Sequence, residues 1–144
     1  MKPLSQSLDQ KDLNYLKHAR AGNLEEVMAC IHQGVDVNTG ASTSLGTGLH
    51  RAASYGHTTV LSFLLDNGAD INAPDSGGMT PLMWAVSSLH PEAALLLIQR
   101  GADPGITYLK GRTALELSRA NVSFYTSRME RSNQILATVE RVRS

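Results

Sequence analysis

Five histidines, a single cysteine and thirteen carboxylates are the side chains of this 144-residue chain that could carry acid–base, nucleophilic or metal chemistry. A metal site needs ligands at short fixed intervals, and His18 and His32 have no such neighbour. Because Cys30 is the only cysteine, neither an internal disulfide nor a cysteine-based zinc site can form. The segment from Gly40 to Gly48 (GASTSLGTG) is rich enough in glycine to suggest a phosphate cradle. It lacks the lysine and spacing of a P-loop and no apolar strand runs into it, so it reads as a mobile connecting loop. Asp36, Asp70 and Asp103 each sit in the same short phrase. That marks them as turn residues accepting from nearby backbone N–H groups, not as a catalytic pair. Cys30 falls on the apolar side of a helical pattern and reads as an inert core thiol. Asn121-Val122-Ser123 has glycosylation spacing but no secretion signal to give it meaning. No cofactor is expected.

Composition narrows the field further. With 42% apolar and 18% charged residues, the chain reads as an ordinary soluble globular protein long enough to bury a core without metal or disulfide. Thirteen basic side chains balance the thirteen acidic ones, which argues against a bulk electrostatic nucleic-acid binder. No stretch approaches the roughly 20 apolar residues of a membrane helix. The first residues carry neither a signal nor a lipidation motif, so a cytoplasmic location, no membrane and no nucleic-acid partner are expected. Charge is uneven along the chain: residues 1–104 hold six basic and ten acidic residues, residues 105–144 seven and three.

The elements that must position any site follow from an internal period. Gly34-Val35-Asp36-Val37-Asn38, Gly68-Ala69-Asp70-Ile71-Asn72 and Gly101-Ala102-Asp103-Pro104-Gly105 recur at steps of 34 and 33 residues. A second phrase keeps step with it: Leu49-His50-Arg51-Ala52-Ala53, Thr80-Pro81-Leu82-Met83-Trp84-Ala85 and Gly111-Arg112-Thr113-Ala114-Leu115. Thr80 followed by Pro81, and Thr113 with Glu116, are helix-start signals, so short helices are predicted to begin near 48, 81 and 114. Gly22 and Gly56 then permit a reversal into a second helix. Its apolar positions are Leu24, Val27, Cys30 and Ile31, then Val60, Leu61, Leu64 and Leu65, then, after Pro91, Ala94, Leu95, Leu97 and Ile98. Each second helix stops at Gly34, Gly68 or Gly101, as a left-handed cap requires.

These phrases closely resemble the ankyrin repeat, a helix-turn-helix-loop unit of 33 residues. The resemblance covers about residues 8–121 and implies an all-α solenoid of stacked helix-turn-helix units with short hairpin loops. Four repeats are counted in a single domain, near 8–40, 41–74, 75–107 and 108–144. In this register His50 resembles a structural hydrogen-bonder to the backbone of the neighbouring repeat, and His57 and His90 follow the turn glycine. The departures carry expectations too. Leu13 and Asn14 replace Thr-Pro in the first repeat, and the second has one extra residue in the Gly40 to Gly48 loop. Leu89 stands where the family turns on glycine, so that turn is expected to be remodelled. The tail from Ser123 to Ser144 puts Ile135, Leu136, Val139 and Val142 on one helical face, with Arg128, Arg131, Glu140, Arg141 and Arg143 elsewhere. It reads as a capping helix; the alternative is a basic helix that touches membrane or nucleic acid.

The resemblance further implies non-enzymatic protein binding through a concave face built from loop tips and first helices, as adaptor or inhibitor. By register the loop tips hold Ser44, Gly46, Ser76, Gly77, Met79, Leu109, Lys110 and Arg112. The helix positions hold Lys17, Arg20 and Ala21, then Arg51, Ser54 and Tyr55, then Trp84, Ser87 and Ser88, then Leu117, Ala120 and Asn121. Trp84, the only tryptophan, with Tyr55, Arg51 and Arg112 forms a group of the types enriched at binding hot spots. The candidate partner-binding residues are therefore Arg51, Tyr55, Met79, Trp84, Ser87, Ser88, Lys110 and Arg112. For Trp84, packing against the adjacent first helix and contact with a partner are both open. The expected partner is another protein presenting an acidic segment to a monomer of this chain.

Overall fold

The computed structural model describes residues 7–124 and 129–143, with side chains over 7–119 and 134–143. Among them are eight helices and no strand: α1 (Gln10–Ala21), α2 (Leu24–His32), α3 (Gly48–Ser54), α4 (Thr58–Asp66), α5 (Pro81–Ser87), α6 (Pro91–Gln99), α7 (Ala114–Phe124) and α8 (Met129–Arg143). They pair in chain order. α1, α3, α5 and α7 pack on one another in succession, and α2, α4, α6 and α8 form a second row behind them. The result is an all-helical solenoid, as the period implies. Ala120, the Asn121-Val122-Ser123 triplet, Arg128 and Arg131 lie outside the described side chains.

Helix starts fall where the local chemistry puts them. Thr80 accepts from the Met83 N–H with Pro81 at the first helical position, and Thr113 and Glu116 exchange the reciprocal bonds of a capping box. The first repeat solves the same problem earlier in the chain. Asp9 caps α1 and forms a capping box with Asp12, so the helix begins at Gln10 and runs through Leu13 and Asn14. That extra length explains why Thr-Pro is missing there: no helix starts at that point. Tyr15, fully buried, instead donates its hydroxyl to the Val37 carbonyl at 2.9 Å. Burial, with Asp36 adding to it, holds that phenol well above its ordinary pKa.

Helices of seven to nine residues are too short to persist alone, so their stability comes from the shared core. That core interleaves Leu49, Ala52 and Ala53 with Val60, Leu61 and Leu64 and repeats the pattern through Leu82, Ala85, Val86, Ala93, Ala94 and Leu97. Alanines let the helices approach; leucines fill the space between them. Two positions expected on apolar faces are exposed instead, Leu95 at 39% and Val142 at 47%. In α6 the buried set is Pro91, Ala93, Ala94, Leu97 and Ile98, and at 100° per residue Leu95 falls just past the edge of that stripe.

Polar bonds lock one repeat to the next. Asp36, Asp70 and Asp103 accept from the N–H two residues on, at 2.8–3.0 Å. Asn38 and Asn72 then reach forward, accepting from the Asp70 N–H at 2.8 Å and the Asp103 N–H at 2.9 Å. The Gly40 to Gly48 segment is not a loose loop. Ser42 donates to the Pro74 carbonyl, Ser76 to that of Thr43, and Leu109 to that of Gly77, which ties consecutive loop tips together.

The turn at Leu89 is not remodelled. Leu89 adopts φ 62°, and its N–H and that of His90 bond to Val86 and Ala85 as Gly56 and His57 bond to Ala53 and Ala52. At Gly22 and Gly56 a Cβ would press into the ring of the next repeat's histidine, within 2.6 Å of His57 Nδ1 and 2.7 Å of His90 Nδ1. The same step from His90 leads to Ser123, so the register brings no histidine toward position 89. Leucine can stand there, buried to 3% exposure, and its packing offsets a left-handed strain of about 1–2 kcal/mol. Leu89→Gly is therefore expected to be more stable than Leu89→Ala by about 1 kcal/mol, because both lose the packing but only glycine relieves the strain. Urea denaturation of the two variants measures the difference, and Leu64→Ala, a cavity variant expected to lose about 2–5 kcal/mol, sets the scale.

Candidate functional site

His50 organises the centre of the first-helix row. Its ring is fully buried. Thr47 N–H donates to His50 Nδ1 at 3.0 Å, which leaves the proton on Nε2, and Nε2 donates it to the Met79 carbonyl of the next repeat at 2.8 Å. Burial pulls the imidazole pKa below the ordinary histidine range, against the opposing influence of the Met79 carbonyl and Asp75. Both nitrogens are engaged structurally, as the register implied.

Trp84, from α5, lies against this histidine. The rings meet edge to face with centroids 5.0 Å apart, and the indole N–H donates to Asp75 Oδ2 at 2.9 Å. The other oxygen of Asp75 accepts from Gly77 and Met79 N–H, so one carboxylate shapes the loop tip and pins the indole together. Asp75 was not singled out from the sequence. The available signal was an aspartate two residues before glycine at a loop tip, the spacing of a side-chain-closed turn. Arg51, one residue after His50, sets its guanidinium 5.9 Å from the centre of the Trp84 ring system.

A second cluster joins α1 to the end of α3. Arg20 donates through Nε to the Tyr55 hydroxyl at 2.9 Å with its guanidinium carbon 5.1 Å from the ring centre, while the His57 ring stacks on the same Tyr55 ring at 6.3 Å and 10°. Arg51, Trp84 and Tyr55 thus sit within linked clusters. Ser88 is spent on the adjacent repeat, sharing a 2.9 Å hydroxyl bond with Ser54, and Met79 contributes mainly its carbonyl. Ser87 is exposed. Lys110 and Arg112 are exposed on the 108–112 hairpin beside Leu109, 82% exposed, and no hydrogen bond or ring contact joins them to the Trp84 group among the described residues. Gly46, mapped to a loop tip, is buried under the edge of Trp84.

Chemistry of other kinds finds little support. Among the described residues no group of three or more His, Cys, Asp or Glu could hold a metal ion. Cys30 is half-buried, and burial followed by Glu26 raises its thiol pKa, which disfavours the thiolate. No helix among the described residues is long and apolar enough to cross a membrane. In α8, Ile135 and Val139 are buried against the chain's own core, so the apolar face that a membrane-surface helix would insert is engaged internally.

The first helices thus form a row lined by aromatic and arginine side chains on a helical-repeat scaffold. The chain belongs to the ankyrin repeat family: the family described as "Ankyrin repeats (3 copies)" matches residues 16–108. Ankyrin repeats are protein-interaction modules and in general not enzymes. The chain is similar to the ARF GTPase-activating protein Git of Drosophila melanogaster, 37% identical over 108 residues, which covers 72% of this chain and 15% of that protein. It resembles protein phosphatase 1 regulatory subunit 12A of Rattus norvegicus, 35% identical over 96 residues, or 67% of this chain and 9% of that one. Against human protein phosphatase 1 regulatory subunit 27 it is 37% identical over 97 residues, 67% of this chain and 62% of the relative. The chain therefore spans less than two thirds of each of these relatives.

The neutral state of His50 has a measurable consequence. The folded chain binds a proton on this ring less readily than the unfolded chain, so its contribution to stability is full above about pH 6.5 and falls as pH drops through that value, where the unfolded state gains the proton. The urea midpoint is expected to fall between pH 7.5 and 5.5, and His50→Gln to flatten that dependence while lowering the midpoint at both pH values.

Proposed function

We propose that the chain binds a partner protein along its first-helix and loop-tip face, as an adaptor or inhibitor, with Arg51, Tyr55 and Trp84 at the centre of the contact. The observation that carries this reading is the half-buried Trp84 ring, held by Asp75 and His50 and flanked by Arg51, on a face whose next cluster pairs Arg20 with an exposed Tyr55. Aromatic rings with fixed orientation lose little conformational entropy on binding, and arginines stacked on them are already ordered. Leu109, Lys110 and Arg112 on the last hairpin extend the same face. The relatives named as phosphatase regulatory subunits support a regulator or adaptor role over a catalytic one.

The excess of arginine and lysine over carboxylates at these positions favours an acidic segment on the partner. Asp75, the acid nearest Trp84, is already committed to three hydrogen bonds. Truncating Trp84 to alanine is expected to cost about 1–4 kcal/mol of binding, and Trp84→Phe, which keeps a ring but not the indole N–H, a smaller amount. Affinity capture from extracts of the source organism, followed by isothermal titration with the captured protein, measures both. Equal capture by wild type and a folded Arg51→Ala/Trp84→Ala variant would move the interface elsewhere. A loss of folding stability for Trp84→Ala as large as that for Leu64→Ala would make the tryptophan a core residue instead.

A further inference from the structure

Between α1, α3 and the Gly40 to Gly48 segment lies an open cavity of about 180 Å³ lined by Leu13, Leu16, Lys17, Arg20, Leu45 and Arg51. Its walls are of two kinds only. Three leucines supply apolar surface, with Leu13 41% exposed, and three cations supply the rest, with no carboxylate among the lining residues. Neither the ion pair of Arg100 with Asp66 nor that of Arg119 with Glu140 reaches this cavity. The three charges are thus gathered without a counter-charge.

Two of them are also held in place. Arg20 is fixed through Nε on Tyr55, and Arg51 lies beside Trp84. Arg51 keeps its Nε–H buried with no acceptor, an arrangement that costs free energy until an acceptor arrives. Burial and the nearby charge of Arg20 both lower the pKa of the Arg51 guanidinium, the direction expected where a cation is desolvated beside a like charge.

Resting on the protein-binding reading above, we infer that this cavity is an anchor pocket for a partner polypeptide that presents an aspartate or glutamate next to an apolar side chain, the carboxylate meeting Lys17, Arg20 and Arg51 and the apolar group meeting Leu13, Leu16 and Leu45. A pre-ordered guanidinium pair matches the planar, two-oxygen geometry of a carboxylate. The leucine floor selects a polypeptide over a small anion, because inorganic phosphate would leave that surface wet. The pocket lies at the first repeat, so it fixes where along the face the acidic end of the partner begins.

The test uses the full chain and a displayed library of random dodecapeptides. The selected set is expected to be enriched in Asp or Glu adjacent to Leu, Ile or Phe. Synthetic peptides from that set are expected to lose at least about tenfold in affinity when Lys17→Gln and Arg20→Gln are combined, or when the peptide carboxylate is replaced by its amide. Lys17 and Arg20 are exposed, and circular dichroism checks that the variant keeps wild-type helicity. A charge-swapped pair, Lys17→Glu/Arg20→Glu with a lysine in the peptide, should recover part of the loss. Trp84→Ala is run beside them. Peptides that depend on Trp84 but not on Lys17 and Arg20 would overturn the anchor pocket and leave the protein-binding reading standing. A selected set without the acidic and apolar pairing would also overturn it. So would binding to phosphatidylserine vesicles that needs Lys17 and Arg20 while no such peptide is selected, since the cations would then serve a lipid surface.

Discussion

A hydrogen bond that one repeat can complete only with its neighbour in the correct place sets the geometry of this chain. Helices of seven and nine residues carry too little intrinsic stability to hold a position, and an alanine-rich core would tolerate sliding. The polar bonds do not tolerate it. His50 spans from the cap of its own helix to the Met79 carbonyl, and His57 reaches the Arg20 carbonyl at 2.8 Å. Asn38 and Asn72 do the same along the loops. Displacing one repeat by a residue would strand the buried His50 ring away from water, at a cost well above that of a poorly packed methyl, and would break the exposed bonds of His57, Asn38 and Asn72 with it. Apolar burial supplies the cohesion and hydrogen bonding supplies the register.

The proposed recognition face inherits its order from that register. Trp84 is oriented by His50 beneath it and by Asp75 at its N–H, and Asp75 in turn closes the loop that delivers the Met79 carbonyl to His50. The residue that braces two repeats and the tryptophan proposed to meet a partner are therefore parts of one closed circuit. Arg51 stands beside the indole that this circuit positions, and Arg20 stands on Tyr55 in the neighbouring cluster.

Features decided within a few residues were legible in the sequence. Thr80-Pro81, Thr113 with Glu116, the three aspartate turns and the terminating glycines each carry a local chemical reason, and the structure shows each of them. What escaped depends on a partner from another repeat. The expected remodelling at Leu89 failed because the reason for glycine at that turn lies 34 or 35 residues away, in the histidine ring it admits. Asp75 was passed over because its importance comes from the indole it meets in space. The forward bonds of Asn38 and Asn72 were hidden inside a phrase read only for its aspartates. The early start of α1 was missed for a different reason: the missing Thr-Pro drew attention to the register, while the operative cap, Asp9, lay upstream of it.

The exchange between turn glycine and following histidine also gives the array a grammar. A repeat ending its first helix in glycine can be followed by one that brings a histidine, as at Gly22 with His57 and Gly56 with His90. Leu89 makes the same left-handed turn with its own side chain buried, and the repeat after it carries serine, not histidine, at the matching position. Duplication of the second repeat would yield units able to join head to tail, whereas a copy of it placed after the third would meet a filled socket. The order in which such repeats can follow one another is thus sorted by one side chain in a turn: a histidine-bearing repeat suits a glycine before it, and Leu89 calls for a successor without one.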